Sequence, residues 1–238
     1  MTTRLALFLT ALIVLTAAPA GAQLDRLLDT LRGSGARSPG DVKIGAALKE
    51  ALQVGTENAV KLTGQTDGYF KNQAIKILMP EQLRTLERGL RTVGYGSDVD
   101  QLVLSMNRAA ERAAPAAKEI FWNAIGEMTI DDAQKILGGT NTAATDYFKG
   151  RTTDRLTQAF RPVVERTMTE VGVARQYNQL LGQAKAIPFF KAENYDLDRY
   201  VTGKALDGLF LVVGQEEQKI RTNPSARVTD LLKEVFAK

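Results

Sequence analysis

The stretch from Lys204 to Glu217 is the most apolar run in the chain outside the N-terminus, with Leu206, Leu209, Phe210, Leu211, Val212 and Val213. Wound on a helix, these side chains fall on nearly every face, and a helix that is apolar all round is a buried one. The pattern predicts an all-α protein, a single multi-helix, bundle-like domain around a buried central helix near residues 196–222. Asp207 is the one carboxylate inside the apolar run. A buried charge needs a partner or is neutralised. Arg108 and Arg227 are the expected partners, because both lie in segments predicted to touch the central helix. The plainer reading is a structural ion pair. The functional one is an anion or polar-ligand site facing Asp207, in which Asn107 and Arg108 stand with Glu111 and Arg112.

The N-terminus carries Arg4, then an almost unbroken apolar stretch from Leu5 to Ala18, then Pro19 and the small residues Ala20, Gly21 and Ala22. This is the pattern of a secretory signal peptide, too short and wrongly flanked for a stable anchor. The expected organisation is a signal peptide over 1–22, a short amphipathic helix on a flexible tether over 23–40, and an all-helical domain over 41–238. There is no Cys, so no disulfide can supply stability and the core must. The charged residues, 31 basic and 27 acidic, are interspersed rather than clustered, and no nucleic-acid footprint is visible.

Helical spacing recurs along the rest of the chain, from Ile44 to about Leu62 and again after Pro80. Ile75, Ile77 and Met79 alternate instead, which predicts an extended piece ended by Pro80. The spacing predicts a long helix from Leu102 to Met128, split or kinked at Pro115 and rich in alanines that allow close helix approach. Ser97 to Asp100 and Thr129 to Asp132 read as capping boxes. The threonines at 142, 145, 152 and 153 offer caps for two successive helices, the second bent at Pro162. Asp196 is placed to cap the central helix, and Asn223-Pro224 to start a last one.

With neither His nor Cys, Ser-His-Asp and Cys-His hydrolysis and every His- or Cys-liganded metal site are excluded. No phosphate-binding glycine loop and no nucleophile elbow is present. The carboxylate pairs Asp131-Asp132, Asp196/Asp198 and Glu216-Glu217 can be imagined as an acid and a base. Capping accounts for the first two without chemistry. Phe189, Phe190 and Tyr200 can line an aromatic pocket or plug the end of a bundle. No catalytic residue, cofactor or metal ligand is assigned.

Several motifs taken together carry a resemblance. They are Met106 to Glu111 (MNRAAE) with Ala114 to Lys118 (APAAK), Met128 to Ala133 (MTIDDA), Ala143 to Phe148 (AATDYF), Ala205 to Phe210 (ALDGLF), Glu216-Glu217, and Ile220 to Phe236. In these the chain resembles the exported, all-helical bacterial family known as domain of unknown function 4197. The resemblance implies a single helical domain in the periplasm or on the envelope, and it brings no activity, cofactor or catalytic residue. Relatives that are lipoproteins carry a Cys, and its absence here implies a soluble form.

The expected function is therefore non-enzymatic binding of an envelope partner or small ligand, in the periplasm or outside the cell. The alternatives are a carboxylate- or Lys-dependent enzyme, and peripheral membrane association through the 23–31 helix. That helix carries both signs of charge, so lipid attraction should be slight. Cleavage after Ala22 should yield a mature chain whose intact mass begins at Gln23, found in the periplasmic or extracellular fraction. Full-length protein pelleting with the inner membrane would contradict the signal-peptide reading.

Overall fold

The structure, a computed structural model, describes residues 39–170, 172–184 and 195–222. Contacts divide the chain into Met1–Gly40 and Asp41–Lys238, and the helical bundle belongs to the second unit. Helix α1 spans Pro39–Gly64. An irregular stretch leads from it to a 3-10 turn at Glu81–Leu83 and to α2, Arg84–Thr92. Helix α3 is Gly96–Ala113, and a 3-10 turn at Ala114–Ala116 joins it to α4, Ala117–Glu127. Then come α5 (Ile130–Leu137), α6 (Ala143–Glu170), α7 (Val173–Ala184) and α8 (Leu197–Thr222). No strand occurs among the described residues. The protein is an all-α bundle.

The centre is the packing of α8 on α6, with α3 laid against both; α2 and α7 flank α3, and α4 and α5 close on α6. Ala109, Ala110, Ala113, Ala114 and Ala117 are fully buried, so the alanine stripe brings backbones together there. Pro115 divides α3 from α4, since it lacks the N–H an α-helix needs. Phe121 meets Phe148 edge-on at 5.3 Å and Phe210 at 6.1 Å, and this aromatic cluster joins α4, α6 and α8.

The helix ends follow the sequence at some places and not at others. Thr129 and Asp132 form the expected capping box. Asp196 accepts from the Arg199 N–H at 2.9 Å at the start of α8. Ser97 does not cap, because α3 already begins at Gly96 and Asp100 turns outward to Arg91. Nor do Thr152 and Thr153 start a helix. Their hydroxyls donate to the Phe148 and Lys149 carbonyls one turn back, inside a single α6 that runs on through Pro162.

The start of α6 is capped from a distance. Glu217 on α8 accepts from the Ala144 N–H, the Thr145 N–H and the Thr145 hydroxyl at 2.8–2.9 Å. Arg221, one turn on, donates to Glu217 at 2.9 Å and to the Ile136 carbonyl of α5 at 2.7 Å. One buried ion pair thus satisfies an N-terminus and a C-terminus together. Its neighbour Glu216 accepts from Asn58 of α1 at 3.2 Å. Glu217→Ala should cost about 3–5 kcal/mol in urea unfolding, since it strands Arg221 and the α6 amides; a loss below about 1 kcal/mol would mean the pair is not what joins these helices.

Candidate functional site

Residues 76–80 form no regular structure, yet Ile75, Ile77 and Met79 are buried while Leu78 is 53% exposed. The expected extended segment is present, but no strand pairs with it. A side chain does so instead. Asn107, with no exposed surface, projects from α3, and its Oδ1 accepts from the Ile77 N–H at 2.9 Å. Its Nδ2 donates to the Ile77 and Val103 carbonyls, both at 2.7 Å. The carboxamide offers Ile77 the donor and acceptor that a neighbouring strand would offer.

One turn further along α3, Glu111 accepts from the Tyr69 and Phe70 N–H groups, both at 3.1 Å. Arg108 spans from Glu111 to Asp67, donating to Asp67 at 2.6 Å. The Lys71 ammonium first, then the Arg108 guanidinium, hold the Asp67 carboxyl below the usual carboxylate range. Asp67 takes φ +66°, a left-handed conformation that Asp tolerates. The next residue must be small. A Cβ on Gly68 would run into the Leu62 carbonyl and come within 2.8 Å of that of Thr63.

This turn delivers Tyr69, fully buried, onto α8, where its hydroxyl donates to the Ala205 carbonyl at 2.6 Å. Its ring occupies the space above Gly208, where a Cβ would sit 2.6 Å from it. Burial, and next the Glu111 carboxylate, push the Tyr69 phenol up, so it stays a neutral donor.

Asp207 does not join this network. Its side chain is 73% exposed, and its ion pair is with Lys204, at 3.4 Å. Asp207 lies on the stripe Lys204, Leu211, Gln215, which faces water, and Leu211 is itself 45% exposed. An exposed leucine one turn away is what made that face look apolar in sequence. Arg108 is paired inside α3 and to Asp67, not to Asp207. Arg227, Phe189 and Phe190 lie outside the described residues. Of the expected site, Asn107 and Arg108 are adjacent but serve the 67–77 segment, and Tyr200 stands apart from them.

Tyr200 does line a groove. It is a surface cleft of about 550 Å³ between residues 74–79, the Glu81–Leu83 turn with Arg84, and the exposed stripe of α8. Tyr195 and Tyr200 meet edge-on at 5.9 Å, and the Tyr200 hydroxyl donates to the Leu78 carbonyl at 3.0 Å. Burial, then Tyr195, push the Tyr200 phenol up. Two exposed ion pairs, Arg84–Glu81 and Lys204–Asp207, border it at 3.4 Å each. Among the described residues no group of three or more carboxylates is placed to hold a metal ion. No helix among them is long and apolar enough to cross a membrane.

Tyr69 was not legible in the sequence, and Glu111 only as a member of the cluster with Asn107, Arg108 and Arg112, not as the acceptor for the Tyr69 and Phe70 amides. Tyr69 has no periodic neighbours to betray it. The signal for the Glu111 role is its spacing, one turn from Asn107 on a helix whose remaining inward residues are small or apolar.

These features define an all-helical protein whose buried polar residues cap and staple the bundle itself. The chain belongs to the family described as "Protein of unknown function (DUF4197)", whose model matches residues 38–237. No curated protein and no solved structure matches it.

Asn107→Ala should cost on the order of 2–4 kcal/mol, since both backbone groups of Ile77 lose their partner. Asp207→Ala should change stability by about 0.5 kcal/mol or less, as an exposed site. Equilibrium urea unfolding of the two variants separates the residues; equal losses would contradict these placements.

Proposed function

We propose that this is an exported protein of the bacterial envelope that works by binding at the groove between residues 74–79 and α8, and not by catalysis. The observation that carries the reading is a contrast in how polar groups are used. Glu111, Glu216 and Glu217, the buried carboxylates among the described residues, are each engaged by N–H, hydroxyl or guanidinium donors that hold helices and turns together. The groups around the groove face water in weak pairs that a ligand can displace. The cleft volume falls in the range of about 300–1,000 Å³ common for ligand sites, and aromatic and aliphatic side chains stand beside a few polar ones there. Export rests on the N-terminal pattern of Arg4, the apolar stretch and Ala22.

A photo-cross-linking residue placed at Leu211, in the groove, should give discrete adducts when the protein is expressed in its own envelope. The same residue at Val93, which is 56% exposed and does not line this groove, should not. Equal labelling at both positions, or none at Leu211, would contradict the reading.

A further inference from the structure

We infer that the groove takes an extended peptide carrying an acidic side chain, added as a strand along residues 76–79. This rests on the groove being the binding site and names its occupant. Main-chain accounting is the first argument. In an extended chain the N–H and C=O of successive residues point to opposite sides. Ile77 turns both of its groups to Asn107, so the Leu78 groups turn to the groove. There the Leu78 carbonyl accepts from the Tyr200 hydroxyl, and the Leu78 N–H has no partner among the described residues. The Lys76 N–H on the same edge is taken by the Asn72 carbonyl at 2.8 Å, so what this edge offers another chain is the Leu78 N–H together with the Lys76 carbonyl. Because Asn107 already fixes this edge, a peptide does not have to order it on binding.

The second argument is charge. Arg84 and Lys204 have carboxylate partners in Glu81 and Asp207. Lys76, half-buried at the groove, sits 4.2 Å over the Phe70 ring and has no ion-pair partner among the described residues. The surplus is one positive charge beside the strand edge. An extended segment with apolar residues toward Leu78 and Leu211 and a carboxylate toward Lys76 fits both features.

The test uses the full mature chain and a library of blocked heptapeptides that alternate apolar residues with Asp or Glu. A twin library carries Lys at the acidic positions. Acidic members should bind and slow hydrogen exchange at the Leu78 amide. N-methylation of the peptide backbone should abolish binding. Leu78→Pro removes the N–H at a position whose preceding residue is extended, and should weaken binding at least tenfold. Lys76→Glu should switch the preference to the Lys library. If Leu78→Pro lowers the melting temperature, the N-methylated peptides decide the matter alone. Binding that survives N-methylation, or that ignores charge at position 76, overturns the inference. So does a Leu78 amide already slow in the free protein: a rate independent of protein concentration would mean the chain's own segment fills the groove, and one dependent on it, a second copy. If no peptide binds while cross-linking at Leu211 still gives adducts, the peptide inference falls and the binding groove stands. If both fail, both readings fall.

Discussion

The carboxamide of Asn107 and the carboxylate of Glu111, side by side on α3, hold in place a stretch of chain that has no secondary structure to hold it. Residues 65–80 bridge α1 to the next helical turn, and Gly68, Tyr69, Ile75, Ile77, Met79 and Pro80 are buried along the way. Their buried N–H and C=O groups need partners, and leaving each unpaired costs about 1–3 kcal/mol. Asn107 satisfies both groups of Ile77, and Glu111 accepts from the N–H groups of Tyr69 and Phe70. Tyr69 then reaches α8, and the packing of its ring over Gly208 fixes where the central helix lies against the rest. The groove is a by-product of the same arrangement, since one edge of the 76–80 segment faces Asn107 and the other faces solvent beside Tyr200.

The Glu217–Arg221 pair obeys the same logic at the other end of α8. There the groups left without partners are the first amides of α6 and the last carbonyls of α5. Several residues of the motifs that carry the family resemblance are parts of these two devices. The first device uses Asn107, Arg108 and Glu111 with Ala205 and Gly208. The second uses Ala144, Thr145, Glu217 and Arg221. Satisfying buried backbone at a few fixed points demands particular side chains at particular spacings.

Much of the bundle was legible in the chain. The periodic apolar residues of α1, α3 and α8, the break at Pro115 and the alternation of Ile75, Ile77 and Met79 all carry local signals. The misreadings have a common cause. Asp207 looked buried because Leu211, on its own stripe, was counted as core, and periodicity does not say which of several apolar faces is left in water. Thr152 and Thr153 looked like caps because a threonine that donates back to the preceding turn reads the same in sequence. Glu111 and Glu217 act across 41 and 73 residues of chain, and no local pattern reports a partner that far away.

Native-state hydrogen exchange tests the central claim most directly. If side chains of α3 replace secondary structure, the amides of Ile77, Tyr69 and Phe70 should exchange as slowly as those in the middle of α3, opening only with the whole fold. Rapid exchange at these amides under conditions where α3 stays protected would show a loose loop, and would contradict the account of how this bundle and its groove are held.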